Sequence, residues 1–162
     1  MSSERLWSPA FINYGVSSGI FYMTQYVLVA ALPIILTAEL GGTALDAGLA
    51  MTSFQIGTIL CRPFAGRLID GLDKRIILLI SSVLFFIIMG LFNLTTSLQT
   101  IFVLRGIHGA IFALGTTVMA ALAVVVLPAS RKGEGINMFA VFSNIAMVLG
   151  PVVGLYALQV YG

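Results

Sequence analysis

Five long apolar runs divide this chain, and they constrain its fold more than any other feature. They cover about residues 9–36, 46–69, 76–94, 100–127 and 136–160, with short polar segments between them. Each run reaches the roughly 18 residues that mark a membrane-spanning helix. Because unpaired backbone groups in lipid cost several kcal/mol each, spanning segments this long and continuous must be helical. The sequence therefore predicts an all-α, polytopic membrane bundle of about five transmembrane helices.

The composition excludes several other classes of protein. Hydrophobic residues make up 59% of the chain and charged residues only 9%, whereas a soluble domain is roughly 25% charged. One cysteine, one histidine and six acids, most of them in loops, form no nucleophile–base or metal-ligand pattern. No dense basic cluster with interleaved aromatic residues is present either. We therefore expect no enzyme activity, cofactor, metal site or nucleic-acid partner.

The basic residues at the ends of the apolar runs and in the segments between them indicate how the chain is oriented. They fall on the side of the N-terminus, whereas the opposite segments, 37–45 and 93–100, carry no lysine or arginine. Short loops rich in lysine and arginine stay in the cytoplasm. We therefore expect a multi-pass protein of the cell membrane, plasma or inner, with a cytoplasmic N-terminus. The residues concerned are Arg5, Arg67, Lys74, Arg75, Arg131 and Lys132.

The segment between the second and third runs carries the strongest motif. Residues 66–78 read GRLIDGLDKRIIL, which resembles the G-x-L-a-D-r-x-G-r-r-x-x-l motif of the major facilitator superfamily. Gly71 and Asp73 replace the usual arginine and second glycine of that motif. The matching residues are Gly66, Leu68, Asp70, Lys74, Arg75 and Leu78.

The resemblance implies that Gly66, Asp70, Lys74 and Arg75 take part in gating. In the family this acid holds the inner gate shut through the second half of the protein. A glycine at the motif's first position lets a neighbouring helix approach closely. Arg62 precedes Asp70 by two turns on the same helical face and is a candidate for the missing arginine's role. The alternative is that these charges only form a solvated turn.

The fourth run contains an arginine and the only histidine of the chain. Residues 101–109 read IFVLRGIHG, which resembles the family pattern l-x-x-x-R-x-x-q-G, with His108 in the glutamine position. An arginine at mid-membrane costs roughly 2.5–3.5 kcal/mol, so we expect Arg105 to face the bundle interior. The resemblance implies a coupling role for Arg105, and the alternative is snorkelling to headgroups. His108 shares its face and is either a proton carrier or a hydrogen-bond partner.

The fifth run carries a proline between glycines. Residues 150–154 read GPVVG, which resembles the g-x-x-x-G-P-x-x-G-G motif of the family's antiporter branches. Ala146 and Leu155 replace the two outer glycines. The resemblance favours export and a kinked, tightly packed helix, and a generic proline kink is the alternative. The predicted helix-packing residues are Gly109, Gly150, Pro151 and Gly154.

Polar residues form a stripe along the first run. Tyr14, Ser18, Tyr22 and Gln25 follow one another at spacings of four, four and three residues, which places them on one helical face. Two interpretations fit this stripe. It lines a substrate path through a wet cavity, or it makes hydrogen bonds between helices.

The resemblance extends from the first run to the fifth and implies an incomplete transporter. A family member has twelve spans in two six-helix bundles, so residues 1–162 correspond to a partial N-terminal bundle that stops after span five. We expect the complete protein to export a small organic solute, of the drug or metallophore type, in exchange for protons. Its expected partners are the lipid bilayer, a small-molecule substrate, protons, and a C-terminal half or another copy. Two alternatives are a non-transporting scaffold or regulatory half-protein, and an importer of the same superfamily.

Overall fold

The computed structural model describes residues 5–161 and consists of long helices joined by short loops. The described residues form α1 (Pro9–Ala38), α2 (Ala44–Gly71), α3 (Lys74–Phe92), α4 (Leu98–Val125) and α5 (Lys132–Tyr161), with a single 3-10 turn at Ala129–Arg131. All five helices are long and apolar enough to cross a membrane. The predicted all-α membrane bundle is therefore confirmed.

Polar side chains at the loops fix where two of the helices begin. Thr43 accepts from the Asp46 backbone N–H at 3.3 Å while the Asp46 carboxylate accepts from the Thr43 backbone N–H at 2.7 Å, which forms a capping box. Asp73 caps α3 by accepting from the Arg75 backbone N–H at 2.7 Å. Because these caps precede the apolar residues, α2 and α3 each begin two residues before the predicted positions 46 and 76.

The helices pack in two close pairs, α1 with α5 and α2 with α4. Glycines make both contacts possible: a Cβ on Gly57 would overlap the carbonyl group of Gly106, and a Cβ on Gly154 would lie 2.7 Å from the Val27 carbonyl oxygen. The helix α4 contacts all four other long helices and is the most buried of them. Most of the interior side chains therefore come from α4 or face it.

Large apolar side chains cover the outside of the bundle. Phe86 on α3 is 81% exposed, and Val148 on α5 is 71% exposed. Exposed apolar surface of this extent suits a hydrocarbon environment and would be unstable in water. The outer surface and the helix lengths together describe a multi-pass membrane protein.

Candidate functional site

Arg105 lies at the centre of a polar contact network inside the bundle. Its side chain is 0% exposed, and its Nη1 donates a hydrogen bond to Gln25 Oε1 on α1 at 3.0 Å. From α2, the Phe54 ring lies 4.6 Å from the guanidinium carbon, and Met51 Sδ accepts from Nη2 at 3.4 Å. Contacts with an amide oxygen and an aromatic face partly offset the free-energy cost of removing this cation from water. Three helices therefore meet at this one side chain.

His108 lies beside Arg105 and is enclosed by aromatic rings. Its Nδ1 is 3.2 Å from Arg105 Nη1. The centroid of its ring lies 5.0, 5.1 and 6.0 Å from the ring centroids of Phe54, Phe85 and Phe92, respectively. Because arginine only donates, Nδ1 must be the acceptor and the ring proton must sit on Nε2. Nε2 has no hydrogen-bond partner among the described residues.

A cavity of about 370 Å³ opens between α1, α2 and α4, and Arg105 forms part of its wall. Tyr22, Gln25 and Tyr26 line it from α1, and Phe112 lines it from α4. The face of α2 turned to this cavity, which we call the arginine cavity, carries Met51, Phe54, Gln55, Thr58 and Arg62. These five residues were not predicted as a group. Their spacings of three, one, three and four residues, which place them on one helical face, were the available signal.

A second cavity, of about 340 Å³, adjoins the arginine cavity. The two share Tyr22 and Arg62, and Ser18 and Ser143 also line the second one. Three residues of the predicted polar stripe, Ser18, Tyr22 and Gln25, therefore border a cavity. The fourth, Tyr14, packs instead against apolar residues of two core clusters. Gln25 fits both predicted roles of the stripe, because it lines a cavity and also accepts a hydrogen bond from Arg105 on another helix.

The residues of the loop motif lie apart from these cavities. Asp70 is exposed and makes no hydrogen bond or ion pair with any residue in the described range 5–161. Lys74 Nζ donates to the Ile69 carbonyl oxygen at 3.0 Å and so caps the end of α2. Arg75 is exposed. A Cβ on Gly66 would meet nothing within 4 Å, so the close helix approach expected there is not made within the described part of the chain.

The structure does not bring Arg62 and Asp70 together. Arg62 borders both cavities, and no ion pair joins it to Asp70 among the described side chains. The eight residues between them correspond to about 12 Å along the helix axis, which is more than an ion pair can span. The proposed substitution of Arg62 for the missing motif arginine therefore has no support in this geometry.

The glycines of the other two motifs lie at close helix contacts. A Cβ on Gly109 would lie 3.0 Å from the Thr58 backbone nitrogen, and Thr58 Oγ1 donates to the Gly109 carbonyl oxygen at 3.1 Å. A Cβ on Gly150 would lie 2.5 Å from the Tyr26 Cβ. Pro151 lies within α5 next to this contact. Gly109 therefore serves the α2–α4 pair, and Gly150 and Gly154 serve the α1–α5 pair.

The sequence profile of the Major Facilitator Superfamily matches residues 14–162. The chain belongs to the major facilitator superfamily. Among its relatives, the quinolone resistance protein NorA of Staphylococcus aureus strain MRSA252 is 26% identical over 134 residues, which cover 83% of this chain and 34% of NorA. The staphylopine export protein of S. aureus strain Mu50 is 26% identical over 159 residues, covering 96% of this chain and 38% of that protein.

The chain thus spans little more than a third of the length of these superfamily relatives. It supplies five membrane-crossing helices of a transporter family. The predicted resemblance to this superfamily is confirmed. Within residues 5–161 the structure shows no cluster of three or more His, Cys, Asp or Glu side chains able to hold a metal ion.

Proposed function

We propose that this chain forms part of a proton-coupled exporter of a small organic solute in the cell membrane, with its N-terminus in the cytoplasm. The observation that carries the proposal is the arginine cavity. It is a space between three membrane-crossing helices, and the polar side chains of Arg105, Gln25 and Tyr22 form part of its mostly apolar wall. Polar groups at this depth are costly unless they serve a solute or ion path. The second bundle of the complete transporter would close the open side of the cavity.

The direction of transport rests on two supporting observations. The relatives are named as a resistance protein and an export protein, and α5 carries the partial antiporter motif at Gly150, Pro151 and Gly154. These glycines hold α5 against α1, and α1 supplies Tyr22 and Gln25 to the cavity. A shift of α5 would therefore move one wall of the solute path. An importer would also need this wall of the cavity, so the cavity does not distinguish export from import. The proposed direction of transport therefore rests on the motif and on the names of the relatives.

Arg105 and His108 form the coupling element in this proposal. The acids within the described residues are Glu39, Asp46, Asp70, Asp73 and Glu134, and all of these lie at helix ends or in loops. A carboxylate that loads protons within the membrane would then come from the rest of the complete protein. Protonation there would alter the contacts of Arg105, and the Gln25 hydrogen bond would transmit the change to α1. Asp70, exposed at the end of α2, would engage the second bundle as an inner gate.

The test is solute flux in vesicles that hold the protein of the complete reading frame. A fluorescent quinolone serves as the probe, and a protonophore establishes whether its flux depends on the proton gradient. We expect Arg105→Ala and Asp70→Asn each to lower the proton-dependent flux by at least about tenfold, the effect of about 1.4 kcal/mol in the limiting step. Gly48→Ala is the matched control, because a Cβ there meets nothing within 4 Å.

Three results would contradict the proposal. Wild-type, proton-dependent flux in both variants would remove Arg105 and Asp70 from the mechanism. Stable expression of the complete protein without any gradient-driven flux would favour the scaffold or regulatory alternative. Flux in the inward direction would favour the importer.

A further inference from the structure

Arg62 is a cation on the cavity wall that no group within residues 5–161 neutralises. Its side chain is exposed, it borders both cavities, and within residues 5–161 it makes no hydrogen bond or ion pair. It lies nine residues before the end of α2 at Gly71, about 13 Å from that end along the helix axis. An unpaired arginine within a membrane-crossing helix is costly, so the site is suited to an anion.

The surroundings of Arg62 carry positive charge and no negative charge. Arg105 lines the same cavity, and Gln25, Gln55 and Thr58 are among its neutral polar lining residues. The lining groups described for the two cavities include no aspartate or glutamate. Two arginines facing one space of about 370 Å³ give it a positive potential that attracts anions and repels cations.

The two arginines differ in what they offer to a ligand. Arg105 is fully buried, and its two terminal nitrogens already contact Gln25, His108 and Met51, while its Nε has no partner among the described residues. Arg62 has all its guanidinium N–H groups available among the described contacts. A planar guanidinium of this kind matches a carboxylate with two parallel hydrogen bonds. Tyr22 and Tyr26 line the same cavity and offer aromatic surface for the apolar part of a ligand.

We propose that Arg62 is the carboxylate-binding residue of the solute site, and that the exported solute is an organic acid or zwitterion with an aromatic or apolar body. This inference rests on the proposed export function and specifies its substrate class. Arg62 anchors the carboxylate at the junction of the two cavities, while Tyr22 and Tyr26 contact the body of the solute. The competing partner for Arg62 is an acidic side chain from the rest of the transporter, and the experiment below separates the two.

The experiment compares a fluorescent fluoroquinolone with its methyl ester, which lacks the carboxylate charge and carries one additional methyl group. The protein of the complete reading frame is placed in lipid nanodiscs, and binding of each probe is measured by fluorescence anisotropy. We expect the acid to bind wild type more tightly than the ester. Arg62→Gln should weaken binding of the acid by at least about tenfold and change binding of the ester less than about threefold, because a charge-assisted bidentate contact is lost only for the acid. Arg62→Lys should recover part of the difference.

Arg67→Gln is the matched control. It removes the same charge from the same helix, but Arg67 lies about 140° around α2 from Arg62 beside exposed Phe64 and Leu68. We expect Arg67→Gln to leave the ratio of acid to ester affinity unchanged. A fold check by thermal unfolding of each variant accompanies the binding data, so that a loss of structure is not scored as a loss of carboxylate binding.

The outcomes separate this inference from the proposed function. Equal effects of Arg62→Gln on acid and ester, no effect on either, or no binding of the acid by wild type would each overturn the carboxylate site. Equal effects would indicate that Arg62 pairs with an acidic side chain of the protein. If the protein shows gradient-driven flux, the proposed export function remains supported even when one of these results contradicts the carboxylate site. Acid-selective binding that depends on Arg62, without flux, supports the site and contradicts the transport proposal.

Discussion

Replacing Gly57 with alanine tests how closely α2 and α4 must approach to hold the arginine cavity. A Cβ at this position would lie 2.8 Å from the Gly106 carbonyl carbon and 3.2 Å from the Ala110 backbone nitrogen. Both neighbours are backbone atoms, so no flexible side chain can move aside. The Gly106 carbonyl oxygen would lie closer still, so the two helices must separate by more than about 1 Å before these contacts reach ordinary distances of about 3.5–4.0 Å.

A separation of this size breaks specific contacts near the site. The hydrogen bond from Thr58 Oγ1 to the Gly109 carbonyl oxygen is 3.1 Å long and joins the same two helices one turn away. Its loss costs about 0.6–2 kcal/mol in a membrane, and overpacking costs about 1–3 kcal/mol. Alanine's better helix propensity returns about 0.5–1 kcal/mol. We therefore expect Gly57→Ala to lower the free energy of unfolding by about 1–4 kcal/mol.

The single cysteine of the chain provides the assay. Cys61 lies on α2, half-buried, so a thiol-reactive fluorogenic dye reports when that helix leaves the bundle during thermal or detergent unfolding. Gly48→Ala is the control on the same helix, since its Cβ meets nothing within 4 Å, and it should leave stability unchanged or raise it. If Gly57→Ala unfolds at the same point as Gly48→Ala, direct backbone contact between α2 and α4 does not stabilise the bundle.

Two further predictions concern the buried network and the orientation of the chain. A double-mutant cycle with Gln25→Leu and Arg105→Met should give a coupling energy of about 0.6–1.7 kcal/mol in detergent unfolding, which is the range for polar contacts between membrane helices. Additive effects of the two substitutions would show that the hydrogen bond between these residues does not contribute to stability. A membrane-impermeant amine reagent should label Lys74 and Lys132 only from the cytoplasmic side of sealed vesicles, and peptide mass spectrometry would identify the labelled residues. Labelling of the two lysines from opposite sides would refute the proposed topology.

The interior position of Arg105 and its likeness to a family motif were predictable, whereas its partners were not. The cost of a charge in lipid is enough to turn an arginine on an apolar helix inward. Its hydrogen-bond partner, Gln25, is 80 residues away in sequence, and its aromatic partner, Phe54, is an ordinary apolar residue by composition. Helical periodicity assigns residues to a face of one helix but does not say which other helix that face meets.

The surroundings of Arg62 also could not be predicted from helical periodicity. Its spacing of eight residues from Asp70 suggested a shared role along α2, because residues two turns apart share a face. The tertiary structure places Arg62 on the wall between two cavities, where α1 and α4 supply the other sides. Sequence spacing fixes the angle between two residues on a helix, but the axial distance keeps Arg62 and Asp70 apart.

Sequence alone determined that this chain is a bundle of membrane-crossing helices and that its motif between the second and third helices resembles that of the major facilitator superfamily. The physical reason is that lipid admits long continuous segments only as helices, so length and apolarity fix the local structure. The pairing of the helices depended on tertiary structure. Glycines permit close approach wherever backbones meet, and only the three-dimensional packing placed Gly57 against Gly106 and Gly154 against Val27, leaving two cavities with Arg62 between them.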